Sequence, residues 1–233
     1  MVRIDKRNNN QIRSIESELA LLNKADGSAK FSLDNSSVLA AIYGPVEVNP
    51  RKEKISKATV EVVFTPDSGN QNYQTKEQES LIRNAIESVI MTMLHPRTLI
   101  SIIIQVYSTD GSIVSCSINA ACLALLDAGI ELNSLIASIS LSFNSDGQIY
   151  LDPTMKEENE SKATAIYAFN SQLKLMMIKS SGIITEQQNQ EALQLARSSC
   201  ERILAYIRTA VKTRIMGDTE SQTKDTVMSD STK

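Results

Sequence analysis

Between Ile12 and Met216 the spacing of apolar residues changes period several times, and each period predicts a different element. Ser37 to Tyr43 is apolar and partly β-branched, and Ala58, Val60, Val62 and Phe64 alternate with polar residues, so both runs are expected to be strands. Thr75 and Gln78 form a capping-box pattern, followed by Leu81, Ile82, Ala85, Ile86, Val89, Ile90 and Met93 at helical spacing. His95-Pro96 is expected to close that helix, because proline disfavours helical backbone in the residue before it. Leu99 to Tyr107, with isoleucine at 100, 102, 103 and 104, predicts a strand buried on both faces.

Ser115 to Ala128 has few polar interruptions and ends at Gly129, which predicts a helix buried nearly all round with a left-handed stop. Leu135 to Phe143 and Gln148 to Leu151 flank Asn144-Ser145-Asp146-Gly147 as a hairpin, and Ala163 to Phe169 with Leu173 to Lys179 predict another around Asn170. Thr185 and Gln188 open a long amphipathic helix carrying Leu193, Ala196, Cys200, Ile203, Leu204, Ile207 and Val211. Asp-Gly pairs at 26, 110 and 146 read as turns between strands. The order ββ…αβα…ββββα predicts an α+β fold of mixed sheets packed with helices.

Composition adds boundaries. A chain of 233 residues, 42% hydrophobic and 22% charged, is that of a globular protein with a sizeable core. One folded domain is expected over residues 12–216, with disordered tails at 1–11, which is charged and Asn-rich, and at 217–233, which is polar apart from Val227 and Met228. The net charge of −3 lacks the basic excess that attracts phosphate backbones, so any nucleic-acid contact must be local or shared with partners. Cys116, Cys122 and Cys200 are too few and too widely spaced for a disulfide framework or a zinc site, and read as core thiols. With no long apolar segment, the protein is expected to be soluble, intracellular and free of membrane contact.

His95-Pro96-Arg97-Thr98-Leu99-Ile100, Gln105-Val106, Asp110-Gly111 and Ile118-Asn119-Ala120-Ala121-Cys122-Leu123-Ala124-Leu125-Leu126-Asp127-Ala128-Gly129-Ile130 resemble the central signature of RNase PH-like proteins. Asp26-Gly27-Ser28-Ala29 and Tyr43-Gly44-Pro45 match the opening of the same family, and the whole is most similar to ring subunits of the eukaryotic RNA exosome. The resemblance implies an RNase PH-like fold, of the ribosomal protein S5 domain 2-like kind. It also implies a six-membered ring of such chains, topped by S1 and KH domain cap proteins, through which RNA passes to an associated hydrolytic exoribonuclease. Nucleus, nucleolus and cytoplasm are the implied locations.

A phosphorolytic exoribonuclease must hold phosphate beside the scissile bond, which calls for a guanidinium, free helix N-terminal donors and a carboxylate. Active members of the resembled family carry Gly-Thr-Arg after Asp-Gly; here those positions are Ser112, Ile113 and Val114. Of the family's Asp…Glu-Asp…Asp pattern, the first position is Asp152, the intermediate one falls at Glu157 or Glu158, and the last aligns with Thr164. Upstream, Gln71 to Lys76 keeps only Lys76 of the basic residues that active subunits use to bind RNA. The resemblance therefore implies a structural, non-catalytic subunit with no cofactor and no metal; the alternative is a phosphate-dependent 3′ to 5′ exoribonuclease with a rearranged site at Asp152 or Glu158.

Arg51, Lys52 and Lys54, interrupted by Glu53, and Arg97 are candidate RNA contacts, set against a solvated loop and a surface ion pair. His95, the single histidine, reads as structural, and Cys116 as packed rather than nucleophilic. The run Glu157-Glu158-Asn159-Glu160 reads as a solvated acidic loop.

Overall fold

The structure, a computed structural model, describes residue 3, residues 7–144 and residues 147–230, with side chains through residue 216. The first sheet comprises β1 (Ile15–Leu19), β2 (Gly27–Leu33), β3 (Ser36–Glu47), β4 (Thr59–Thr65) and β5 (Thr98–Ser108), in the order β1-β2-β3-β5-β4. Its pairs are antiparallel except β4 and β5, which run parallel because α1 (Tyr73–Glu87) crosses over between them. The second sheet is antiparallel, in the order β7-β6-β8-β9, from β6 (Ile136–Phe143), β7 (Ile149–Leu151), β8 (Ala163–Asn170) and β9 (Leu175–Gly182). Further α-helices among the described residues are α2 (Ile113–Asp127), α3 (Met155–Glu160) and α4 (Glu186–Asp230), and Thr92–Leu94 forms one turn of 3-10 helix.

Helix α2 packs against β2 and β3 on one side and β6 on the other, so it joins both sheets in one core. Every residue from Val114 to Leu125 is buried. The small side chains of Ser115, Cys116, Ala120 and Ala121 permit close approach, as native packing density requires. Gly27 marks the tightest point: a Cβ there would lie 2.3 Å from the backbone nitrogen of Ala128. The helix stops as its sequence predicts, with Gly129 at φ +68° and the Ile130 N–H donating to the Leu125 carbonyl at 3.2 Å.

Several elements depart from expectation. Strands β1 and β2 precede the first expected strand; each is held by pairing, since the charged alternation of β1 and the Gly-Ser-Ala-Lys start of β2 give weak strand signals. Helix α1 begins one turn earlier, at N-cap Asn72, whose backbone N–H donates to the Thr75 hydroxyl. It also ends earlier, at Glu87: Val89 and Ile90 stay buried but leave the helix because their backbone pairs with the segment after α2, as in the Asn133 N–H donating to the Val89 carbonyl. Strand β5 is buried on one face only. Ile100, Ile102, Ile104 and Val106 point into the core, whereas Ile103 and Tyr107 are exposed on the other face.

The acidic run expected as a solvated loop is helix α3, with Glu157 buried. The amino-terminal segment expected as a disordered tail buries Arg3, and the Leu151 N–H donates to the Asn9 carbonyl at 2.9 Å. At the other end, helical backbone continues from α4 through Gly217 to Asp230, where an irregular tail was expected; no proline interrupts its propagation. The expected turn residues Ser145 and Asp146 lie outside the described residues.

Candidate active-site cleft

Strand β5 delivers the chain to the amino terminus of α2 through Thr109 to Ser112, and this turn fits tightly against the segment after β7. Gly111 has φ +78°, and a Cβ there would lie 2.5 Å from the Pro153 carbonyl oxygen and 2.7 Å from the Thr154 carbonyl carbon. Ser112 follows as the N-cap of α2 in the left-handed region, its hydroxyl donating to the Pro153 carbonyl at 3.2 Å. Its backbone N–H donates to Glu158 Oε1 at 2.8 Å. An internal carboxylate thus accepts from the end of α2, where free N–H groups favour an anion.

Glu158 is held there by α3. Thr154 caps this helix, accepting at Oγ1 from the Glu157 N–H, while the Thr154 N–H donates to Glu157 Oε2 at 2.9 Å. Burial pushes the Glu158 carboxyl up from the ordinary carboxylate range against the opposing effect of the Ser112 N–H, and the charges of Asp152 and Asp110 push the same way.

Two buried arginines support the segment from below. Arg13 donates through Nε and Nη2 to the two oxygens of Asp152 at 2.9 and 2.7 Å, and through Nη1 to the Asp110 carbonyl at 2.7 Å. Both side chains are almost wholly enclosed, and although burial alone would lower the Arg13 pKa, the bond to Asp152 leaves it raised. Arg3 makes the same two-pronged contact with Glu157 at 2.9 and 2.8 Å and also donates to the carbonyls of Leu151 and Asp152. Burial would raise the Glu157 pKa, but the Arg3 bond holds it below the usual carboxylate range.

Above this base opens a cleft of about 740 Å³, bordered by Ser112, Ile113, Val114, Glu158, Thr164 and Lys179 among others. The four positions expected from the resemblance to depart from active members, Ser112, Ile113, Val114 and Thr164, therefore meet in one place. Of the two acidic alternatives, Glu158 reaches the cleft and Glu157 is turned away onto Arg3. Asp152 is not among the lining residues; it is enclosed with Arg13. Lys179 of β9 pairs with Glu77 of α1 at 2.7 Å across the mouth, and Lys76 does not line the cleft. Among the described residues the charged lining groups are thus Glu77, Glu158 and Lys179, with no arginine.

The remaining candidates lie elsewhere. Lys52 pairs with Glu61, Lys54 with Glu87 at 3.6 Å, and Arg97 with Glu53 at 3.4 Å; Arg51 is exposed on the same loop. They gather at the end of the first sheet where β5 begins, away from the cleft at its other end. His95 Nε2 is 3.9 Å from Glu131 Oε2. The three cysteines are buried; burial pushes the Cys116 thiol far up and that of Cys122 to about 11, which leaves neither as a thiolate nucleophile at neutral pH. Among the described residues no group of three or more His, Cys, Asp or Glu side chains is placed to hold a metal ion, and no helix is long and apolar enough to cross a membrane. Sequence reasoning missed Arg3 and Arg13, which sit in or beside a stretch whose composition reads as a tail; neither periodicity nor spacing marks an arginine as buried.

Comparison with known proteins identifies the family. Residues 11–131 match the 3′ exoribonuclease family domain 1 and residues 134–199 match domain 2 of the same family. The runs Ser115 to Ala121 and Asp127 to Ser134 resemble the fungal exosome subunit of the ribosomal RNA processing forty-six type, and that type is matched here by a plant protein, the exosome complex exonuclease RRP46 homolog of Oryza sativa subsp. japonica. That protein is 32% identical over 93% of this chain and 98% of its own length. The homolog of the same name from Arabidopsis thaliana is 38% identical over 72% of this chain and 70% of its own length. The crystal structure of rice Rrp46 superposes with a TM-score of 0.85 at 34% identity, covering 89% of this chain and 99% of that one. The Archaeoglobus fulgidus exosome with RNA bound to the active site shares the fold at 17% identity, with a TM-score of 0.76 over 88% of this chain and 92% of that one. Two matched domains, one shared core and the cleft at the head of α2 lead to one assignment: the chain belongs to the 3′ exoribonuclease, or RNase PH, family.

Proposed function

We propose that this chain is a non-catalytic, structural subunit of an RNA exosome ring. Its partners are other RNase PH-like subunits, S1 and KH domain cap proteins and an associated hydrolytic exoribonuclease, and it serves 3′ to 5′ degradation and processing of RNA, rRNA included, in nucleus, nucleolus and cytoplasm. The observation that carries the reading is the Glu158 carboxylate on the Ser112 N–H, beside Val114, where the family resemblance implies an arginine in active members. A phosphate entering the cleft would meet a carboxylate at the helix terminus, an aliphatic side chain instead of a guanidinium fork, and a lysine already paired with Glu77.

Assembly is supported by two separate apolar surfaces of the kind a ring member presents to two neighbours. The outer face of the first sheet exposes Val63, Ile103 and Tyr107, and the edge strand β9 exposes Leu175 and Ile178. The second reading, a working phosphorolytic enzyme, is favoured by one feature: Glu158 keeps a carboxyl in the cleft with a raised pKa, suited to a general acid. Asp152 offers it nothing, because both its oxygens are taken by Arg13.

The test is release of nucleoside diphosphates from a single-stranded oligoribonucleotide with and without inorganic phosphate. It uses the chain alone, the chain co-assembled with its RNase PH-like partners, and a Val114→Arg/Thr164→Asp variant. No phosphate-dependent release is expected from the parent in either form; release by the parent would make it an exoribonuclease. In parallel, the chain is expected to co-elute with RNase PH-like subunits, and a stable monomer at micromolar concentration in their presence would remove the structural role.

A further inference from the structure

The loop from Val48 to Ala58 and the segment from Met91 to Arg97 meet at the end of the first sheet where β5 begins. The cleft lies past the other end of β5, about 30 Å away at a strand rise of ~3.3 Å per residue. Two backbone hydrogen bonds lace the segments together: the Ala58 N–H donates to the Thr92 carbonyl at 2.8 Å, and the Arg97 N–H to the Lys54 carbonyl at 3.3 Å. Within that frame lie Ile55, Met93 and Leu94, with 75%, 82% and 52% of their surfaces exposed. Single exposed apolar residues are ordinary, but three within one laced pair of segments form a patch.

The rim of this patch is charged and uneven. Arg51, Lys52, Lys54, Lys57, Arg83 and Arg97 stand against Glu47, Glu53, Glu61, Glu87 and Glu131, six cations to five carboxylates. Glu87 is shared by Lys54 at 3.6 Å and Lys57 at 2.9 Å, and these cations together hold its carboxyl below the ordinary range despite burial. Beside them a hollow of about 390 Å³ is lined by Lys52, Lys54 and Arg83 against Glu61 and Glu87, leaving room for a further carboxylate.

We infer that this surface docks a protein segment presenting an aliphatic or aromatic anchor flanked by carboxylates. The anchor covers Ile55, Met93 and Leu94, and its acidic neighbours meet the cationic rim. Methionine suits this use because its flexible thioether adapts to the shape of a partner. RNA is the competing occupant of the same basic residues. It is disfavoured because the patch centre is aliphatic and neither segment contains Phe, Tyr or Trp on which a base could stack. The assignment does not depend on loss of catalysis in the cleft.

The test places p-benzoylphenylalanine at Met93 in the full chain, expressed in its own cells, and identifies what is captured on irradiation. The expected product is a protein segment with an aliphatic or aromatic residue beside at least two carboxylates. That segment, made as a peptide, is then expected to bind the parent chain and to bind Met93→Glu and Lys54→Glu variants about tenfold more weakly, the scale of a central interface contact. A U-rich oligoribonucleotide is expected to show no difference between parent and Met93→Glu. Capture of RNA, capture of a basic or uncharged segment, no capture, or a peptide affinity unchanged in both variants would each overturn the inference.

Discussion

Removing the charge of Asp152 is expected to destabilise the fold through Arg13 rather than to remove a reactive group. In the parent, Arg13 gives two side-chain donors and its backbone N–H to Asp152, and one donor to the Asp110 carbonyl, with Asp110 Oδ2 at 3.8 Å. Asp152→Asn preserves the size of the side chain and its tolerance of φ +50°, so the perturbation is electrostatic. Leaving one partner of a buried pair uncompensated costs about 3–5 kcal/mol, and the remaining Asp110 contacts place this case near the lower end, at about 3 kcal/mol. For a chain of this size that lowers Tm by roughly 6–12 °C. The assay is thermal and urea unfolding of the parent, Asp152→Asn, Arg13→Met and the double variant. The double variant is expected to lose less than the sum of the single losses, since neither charge is then stranded. A Tm for Asp152→Asn within about 2 °C of the parent, or strict additivity, would refute the structural role assigned to this pair.

The Arg3–Glu157 pair predicts a pH dependence. The Glu157 carboxyl lies below its ordinary value in the folded chain, so its contribution is present above the unfolded pKa and is lost as pH falls through the folded one. From about pH 6 to about pH 3 the parent is expected to lose urea resistance more steeply than Arg3→Met, and parallel slopes would contradict the assignment. Gly111 and Gly129 form a controlled pair: both have positive φ, but only at Gly111 does a Cβ meet backbone, 2.5 Å from the Pro153 oxygen. Gly111→Ala is therefore expected to cost about 1–3 kcal/mol, more than Gly129→Ala, because it adds a clash to the same strain. Equal losses on denaturant titration would mean that the turn against Pro153 has room to give.

Much of the fold was legible because burial periodicity is local. The all-apolar run that became α2, its stop at Gly129 and the two hairpins of the second sheet each carry their signal within a dozen residues. The cleft was legible only through family resemblance: nothing in Ser112-Ile113-Val114 taken alone marks the head of a buried helix. Strands β1 and β2 were missed because their stability comes from pairing across the sheet, and the limits of α1 because its last apolar residues pair with the segment after α2.

Residue identity and spacing were enough for the layered α+β class and the family, and they marked Ser112, Ile113, Val114 and Thr164 as expected departures from its active members. Tertiary structure alone decided which carboxylate faces the cleft. Glu157 and Glu158 are neighbours of the same chemistry, yet a helix of six residues turns one onto Arg3 and the other onto the Ser112 N–H. It also decided that Asp152 and Arg13, far apart in the chain, are a buried pair, because a charge leaves water only where folding brings its partner.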